Sequence, residues 1–247
     1  MLLHGFPQDA GAYDAVVPVL HAHGLRTLAP TLRGYAAGAR PRRRRHYRTA
    51  ETAADLIALL DAAGLERAHI VGHDWGGVPA WASAAWHPER VASLTVLSTP
   101  HPTAMAASLI SSSQILRSWY MGFFQLSGLP EAVVLRTLRK TLVDSHLPAE
   151  YVERYCRAMA VPGALTGALN WYRGIPFSAR PVVTNCSVPT TYVWGKHDFA
   201  LGRAAAELTG RHVDAPYRFE ELAAGHWLPE THPAKVAEIV LQQIQSS

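Results

Sequence analysis

The sequence predicts an α/β fold, in which helices flank a mainly parallel sheet and one block of helices is inserted between two strands. Short apolar or β-branched runs alternate with stretches of helical periodicity, which is the pattern of parallel strands joined by helical crossovers. That alternation stops between 101 and 179, where helical patterns follow one another. The 247 residues are 49% hydrophobic and 17% charged, a globular composition that excludes a disordered, collagen-like or coiled-coil chain.

The individual elements follow from these patterns. The runs predicted to be strands are 1–4, 26–30, 68–72, 91–98, 190–194 and 217–221. Apolar residues at helical spacing form two stripes: Leu56, Leu59, Leu60 and Ala63 before Gly64, and Val236, Val240 and Ile244 after Pro233. Both stripes are expected to lie in the core.

The inserted block contains helix-like stretches at 114–125, 130–140, 148–159 and 164–173. We expect 1–100 and 180–247 to form one core domain and 101–179 to form a helical cap. Ligands of open α/β sheets bind beyond the carboxyl ends of the strands, so a cap that leaves one strand end would cover that site.

Composition excludes several other classes. No apolar run approaches the roughly 18 to 20 residues that span a bilayer, and no targeting segment is seen, so a cytoplasmic protein is expected. Cys156 and Cys186 are expected to be buried thiols, because two cysteines cannot form a dense disulfide framework and no Cys/His group has zinc spacing. The formal charge of +4 comes largely from arginines between 40 and 48, where we expect a solvated loop and no nucleic-acid partner.

The motif His69-Ile-Val-Gly-His-Asp-Trp-Gly-Gly77 carries the strongest chemical signal. A β-branched run enters a turn between Gly72 and Gly76, which are small enough for a strained strand-to-helix bend that exposes Asp74. A carboxylate that attacks saturated carbon forms an ester, which water can hydrolyse, whereas serine would form a stable ether. Asp74 is therefore predicted to be a nucleophile for alkyl transfer followed by hydrolysis.

Two further motifs supply its partners. In HGFP at 4–7, an apolar strand runs into a turn, so the backbone N–H groups of Phe6 and Trp75 can converge as an oxyanion hole. Asp198 in GKHD and His226 in GHW each follow a strand, in the order nucleophile, acid, histidine. Asp198 would orient His226, which would take a proton from water, while His73, His101 and His197 are expected to support the site.

With these motifs, the chain resembles the epoxide hydrolases of the α/β-hydrolase superfamily over essentially its whole length. The motifs that carry the resemblance are HGFPQ, LRGYAAGARP at 32–41, GHDWGG, TPHP at 99–102, NWYRGIP at 170–176, GKHD and GHW. The resemblance implies two cap tyrosines that donate hydrogen bonds to the epoxide oxygen, which correspond to Tyr172 in NWYR and Tyr120 in SWYMGFFQ. Phenolic O–H groups opposite Asp74 could protonate the alkoxide that ring opening creates.

The chain departs from the family at its start. The family usually carries residues before HG that supply two antiparallel strands and the start of a central one, whereas only 1–4 precede the turn here. The N-terminal strands are thus expected to be missing. Three explanations are open: a misplaced start codon, a truncated chain, or an open edge beside 26–30 that can pair with another chain. The expected oligomeric state is a monomer or a homodimer.

The resulting hypothesis is an epoxide hydrolase that forms a vicinal diol through an ester on Asp74. Water is the second substrate, so neither a metal nor an organic cofactor is expected, and no membrane partner. The pocket is expected to be apolar, with Trp119, Phe123, Phe124 and Trp227 lining it and Trp75 nearby.

Four alternatives compete with this hypothesis: two kinds of dehalogenase, a non-catalytic binder and an ester hydrolase. A haloalkane dehalogenase would share the Asp nucleophile but would need halide-binding N–H donors, and Phe6 stands where many of these enzymes have Asn. Fluoroacetate dehalogenases share HGFPQ but have Arg at the position of Trp75. A non-catalytic binder on the same fold should have lost a catalytic residue, and ester hydrolysis is disfavoured because attack by Asp would give a labile anhydride.

Overall fold

The computed structural model describes residues 1–112, 119–179 and 182–247. Within them, a five-stranded sheet runs in chain order and every pair of neighbouring strands is parallel. The strands are β1 (Leu2–Leu3), β2 (Ala68–His73), β3 (Val91–Leu97), β4 (Thr190–Gly195) and β5 (Tyr217–Leu222). The predicted α/β fold is confirmed, because helices flank this sheet and a helical insert follows β3.

The helices join and cover the strands. They are α1 (Val17–Ala22), α2 (Thr49–Ala62), α3 (Gly77–Trp86), α4 (Pro102–Ser111), α5 (Trp119–Phe123), α6 (Leu129–Asp144), α7 (Ala149–Ala160), α8 (Ala164–Gly174), α9 (Arg203–Thr209), α10 (Leu228–Thr231) and α11 (Pro233–Gln245). Helices α4 to α8 form the insert between β3 and β4. The helix predicted at 114–125 lies partly outside the described residues, and its described part contains α5.

Apolar side chains of the strands enter two hydrophobic clusters, because successive strand residues point to opposite faces. Ile70 packs into a cluster with Trp81 of α3, and the next residue, Val71, packs into a second cluster with Val236 and Val240 of α11. The sheet is therefore covered on both faces at β2, as parallel sheets normally are, whereas β5 at its edge is only partly buried. The side chains that follow β2, β4 and β5 lie at the carboxyl edge.

Some local predictions are wrong. No strand forms at 26–30. The carbonyl oxygen of Leu28 accepts one hydrogen bond from the Leu2 amide at 2.8 Å, but β1 is too short to extend this pairing. Pro30 also has no N–H with which to continue it. Ala63 is exposed because α2 ends one residue before it. Of the two free thiols, Cys186 is buried as predicted, but Cys156 is only partly buried.

The arginine-rich segment is only in part a solvated loop. The side chain of Arg40 donates to the carbonyl oxygen of Pro162 at 3.0 Å, and Arg44 donates to that of Gln125 at 3.0 Å, so both hold the core against the insert. The neighbouring Arg42, Arg43 and Arg45 are exposed. In the part of the chain described, no helix has the length and apolar character required to cross a bilayer.

Candidate active site

Asp74 occupies a strained turn between β2 and α3. Its φ angle is +48°, in the left-handed region that costs a residue other than glycine about 1–3 kcal/mol. The turn requires glycine at two positions where the backbone packs closely. A Cβ atom on Gly76 would lie 2.3 Å from the Leu3 carbonyl oxygen, and a Cβ atom on Gly72 would lie 2.6 Å from the Gly76 carbonyl oxygen. The motif folds as predicted, and the carboxylate lies at the carboxyl end of β2.

Each oxygen of the Asp74 carboxylate faces a nitrogen of another residue. The Phe6 amide donates to Oδ1 at 2.7 Å, and Nε2 of His226 lies 3.6 Å from Oδ2. Burial alone would raise the pKa of Asp74, but the hydrogen bond and charge of His226, together with the Phe6 amide, hold that pKa below its usual value. Asp74 is therefore ionised at neutral pH without an activating base.

His226 and Asp198 form a buried pair beside this carboxylate. Nδ1 of His226 lies 2.8 Å from Oδ2 of Asp198, whose Oδ1 accepts from the amides of Ala200 and Leu201 at 2.8 and 2.9 Å. Burial disfavours the charged imidazolium, but attraction to Asp198 and Asp74 outweighs this and raises the pKa of His226 to about 10. The Nδ1–Asp198 contact leaves Nε2 pointing at Asp74, which is the orientation a base for water needs.

A buried polar network, which the sequence motifs do not predict, lies behind His226. Gln8 accepts from the Gly5 amide at 2.6 Å and donates to Glu230 at 2.6 Å, and His73 bridges Gln8 to the His226 carbonyl oxygen. Glu230 is 6% exposed, and burial raises its pKa to about 7. The position of Gln8 directly after HGFP was the available signal, but its partner lies 222 residues away.

The three histidines expected to support the site differ. His73 contacts the network and packs 5.0 Å from the His226 ring. His101 is buried but stacks on His212, with ring centroids 4.7 Å apart. His197 lies in the turn after β4 and is exposed. The prediction is thus wrong for His197.

Tyr120 of α5 and Tyr172 of α8 lie together in the cavity that Asp74 also lines. Their ring centroids are 5.8 Å apart, and Tyr172 packs edge-on against Trp75 at 4.7 Å and against Phe6 at 5.7 Å. Burial, followed by the nearby Asp74 charge, raises the pKa of Tyr120; burial, the neighbouring Tyr120 and Asp74 raise that of Tyr172. Both phenols therefore keep their protons and can donate them.

Arg173 fixes the tyrosine pair. Its guanidinium is 2% exposed and donates to the carbonyl oxygens of Phe124 and Leu126 at 2.8 and 2.5 Å and to Glu131 at 2.7 Å. These bonds tie α8, which carries Tyr172, to the segment that follows Tyr120. Because arginine can donate to several planar acceptors at once, it holds these elements in one geometry.

One cavity of 300 Å³ lies at the centre of the site. It brings together Asp74, His226 and both tyrosines. Four aromatic residues predicted for the pocket also line it: Trp119, Phe123, Phe124 and Trp227. Trp75 lies behind Tyr172 instead, and the role of its amide as a second oxyanion donor stays a prediction.

A larger cavity of 670 Å³ lies elsewhere, beside α2, and is lined by residues such as Arg33, Arg40 and Asp55. It contains none of the acid, base or phenol groups described above. In the described ranges, no cluster of His, Cys, Asp or Glu is arranged to hold a metal ion.

The chain is similar to known proteins of the alpha/beta hydrolase fold. A family model described as the alpha/beta hydrolase fold matches residues 1–233. The chain is 35% identical to the AB hydrolase superfamily protein YfhM of Bacillus subtilis (strain 168), over 100% of this chain and 90% of that one. It is 34% identical to epoxide hydrolase 3 of Xenopus tropicalis, over 97% of this chain and 69% of that one.

Solved structures with this fold include complexes with ligands. A single-residue mutant of an epoxide hydrolase from Bacillus megaterium, complexed with its product (R)-3-[1]naphthyloxy-propane-1,2-diol, superposes with a TM-score of 0.86. It is 24% identical and covers 100% of this chain and 92% of its own. That protein binds a small diol derived from an epoxide.

Proposed function

The chain belongs to the α/β-hydrolase family, and on that premise we propose that it hydrolyses epoxides to vicinal diols through an ester on Asp74. The observation that carries the proposal is that two protonated phenols, Tyr172 buried and Tyr120 partly buried, line the same cavity as an ionised carboxylate. An epoxide needs both, a nucleophile for carbon and a proton donor for oxygen.

In the first half-reaction, an Asp74 oxygen bonds to one ring carbon while the carbon–oxygen bond of the ring breaks. Tyr120 and Tyr172 donate hydrogen bonds to the departing oxygen, and one of them transfers its proton, which solvent later replaces. The product is a hydroxyalkyl ester. The Phe6 amide, 2.7 Å from Oδ1, orients the nucleophile during this step.

In the second half-reaction, His226 removes a proton from water and the resulting hydroxide attacks the ester carbonyl carbon of Asp74. The Phe6 amide donates to the oxyanion, with the Trp75 amide as the second predicted donor. The intermediate collapses, the diol oxygen leaves with the proton from His226, and the carboxylate is restored. Asp198 keeps the imidazole oriented throughout.

The charge state of His226 changes between the two steps. Two carboxylates raise the pKa of His226 to about 10, so it is protonated in the resting enzyme at neutral pH. Esterification neutralises Asp74 and removes one of these charges, so the pKa of His226 falls. The imidazolium then releases its proton to solvent, and the neutral imidazole can act as a base. The nucleophile and the base are therefore activated in sequence.

A small panel of epoxides and haloalkanes tests the proposal. Purified protein is incubated with phenyl glycidyl ether, styrene oxide, a 1-chloroalkane and a 1-bromoalkane, and both diol and free halide are measured. We expect diol from the epoxides, lost in Asp74→Ala, and no halide above background. Halide release without diol would assign the site to dehalogenation instead, and full diol formation by Asp74→Ala would overturn the mechanism.

A further inference from the structure

The cavity that contains Asp74 offers a ligand very few charged or polar partners away from the reaction centre. Among the described residues that line it, the ionisable groups are Asp74, His226 and the two tyrosines, all of which the proposed reaction uses. Every other lining residue is apolar or aromatic apart from two threonines of α6. The substituent of a bound epoxide therefore meets an uncharged wall.

The two threonines do not change this conclusion. The hydroxyl of Thr137 donates to the carbonyl oxygen of Val133 at 3.0 Å, and that of Thr141 donates to the carbonyl oxygen of Thr137 at 3.2 Å. Each hydroxyl hydrogen is thus held by the backbone of α6, and the helix presents only methyl groups and lone pairs. Another donor in the wall, the indole N–H of Trp227, is held by Ser145 at 2.9 Å.

The entrance is apolar as well. Of the lining residues, Trp119 is 69% exposed, Phe199 47% and Val133 39%, so these side chains stand between solvent and the buried part of the cavity. The volume of 300 Å³ is at the lower end of the range for small-molecule sites. Together these features favour a compact, lipophilic substituent.

We propose that the cavity selects uncharged epoxides with a compact apolar or aryl substituent and discriminates against epoxides whose substituent carries a carboxylate. This inference rests on the proposed epoxide hydrolysis and adds a substrate class to it. The physical reason is that the cation among the described lining residues, the His226 imidazolium, is already paired with Asp74 and Asp198. A second carboxylate would therefore add to the Asp74 charge without a cation of its own.

A pair of substrates with the same shape isolates the charge. In 4-(glycidyloxy)benzamide and 4-(glycidyloxy)benzoate, the group at the far end of the ring is nearly isosteric, but only the benzoate is charged at pH 7.5. We expect kcat/KM for the amide to exceed that for the benzoate roughly tenfold or more, which corresponds to about 1.4 kcal/mol. Equal values, or a faster benzoate, would overturn the proposal.

A matched pair of variants tests whether the α6 wall is responsible. Val133→Arg places a cation at the entrance, while Leu135→Arg adds the same charge at an exposed position of α6, 52% exposed, that does not line the cavity. Val133→Arg should reduce the preference for the amide at least roughly threefold at low salt, and Leu135→Arg should leave it unchanged. Equal effects of the two variants would contradict a role for the wall.

Binding of the two diols separates this inference from the proposed reaction. If neither epoxide is turned over, the proposed function fails, but calorimetry with the corresponding benzamide and benzoate diols still measures charge selection by the cavity. Tighter binding of the benzamide diol, roughly tenfold or more, supports the selection of uncharged ligands. Equal affinity, or no binding of the benzamide diol, overturns it.

Discussion

Replacing His226 by glutamine is expected to stop the proposed reaction after its first half. Glutamine is close to histidine in length but cannot take a proton from water, while Asp74, the Phe6 amide and both cavity tyrosines are unchanged. Loss of a general base typically slows its step about 10²–10⁴-fold. The ester on Asp74 should therefore accumulate, with one hydroxyalkyl group per chain.

The same substitution has a cost in stability that can be worked out from the buried pair. The Asp198 side chain is fully buried and loses its imidazolium partner, although the Ala200 and Leu201 amides still donate to it at 2.8 and 2.9 Å. Breaking a buried ion pair costs about 3–5 kcal/mol. For a chain of this size each kcal/mol lowers Tm by about 2–4 °C, so Tm should fall by about 6–20 °C.

Intact-mass spectrometry after incubation with excess styrene oxide measures the trapped ester. The expected result is a single adduct of the mass of the epoxide, which peptide mapping locates on Asp74. The control is Asp74→Asn in the same His226→Gln background, which should remain unlabelled. Continued diol production by His226→Gln without an adduct, or an adduct on another residue, would refute the reasoning.

Further predictions concern the turn, the cap and pH. Gly5→Ala should lower kcat/KM about 10²-fold or more with the fold retained by circular dichroism, because the new methyl group would lie 2.3 Å from the Asp74 Cβ atom. Tyr172→Phe should slow ester formation about 10²-fold and leave ester hydrolysis unchanged in single-turnover kinetics. Arg173→Lys should lower the free energy of unfolding in urea by about 2–5 kcal/mol, since lysine cannot donate to the same set of acceptors. The pKa of His226 in the folded protein is raised to about 10, so the stability that its charge contributes is fully present below about pH 6.5 and is lost as the pH rises through 10. Urea unfolding at pH 6, 8 and 10 measures this loss. Between pH 6 and pH 10 the free energy of unfolding should fall more for the wild type than for His226→Gln.

Much of the site could be predicted from local sequence, because turn chemistry determines it. The glycines around Asp74 and the turn at Phe6 have backbone requirements that few other residues meet, and the position of His226 after the last strand follows from the order of elements. The two tyrosines were different. Nothing in the local sequence of Tyr120 or Tyr172 shows where the helical insert directs them, so their position was expected only from the family resemblance.

The remaining features depend on contacts between distant parts of the chain. Glu230 becomes a buried acid only because Gln8 and Tyr155 both donate to it, at 2.6 and 2.8 Å. The segment 26–30 has the composition of a strand, but pairing rather than composition determines whether a strand forms. Arg44 is part of a basic run that would suit a solvated loop, yet it contacts the insert through the carbonyl oxygen of Gln125.

The most direct test of the ester on Asp74 is a single turnover in water enriched in ¹⁸O, with enzyme in excess over phenyl glycidyl ether. The diol and the peptide that contains Asp74 are then analysed by mass spectrometry. If Asp74 attacks the epoxide and water attacks the ester carbonyl carbon, the diol carries no solvent oxygen and the Asp74 peptide gains about 2 Da, as expected from the chemistry of ester hydrolysis. Solvent ¹⁸O in the diol of this first turnover, with an unlabelled Asp74 peptide, would show direct attack of water on the epoxide and contradict the account.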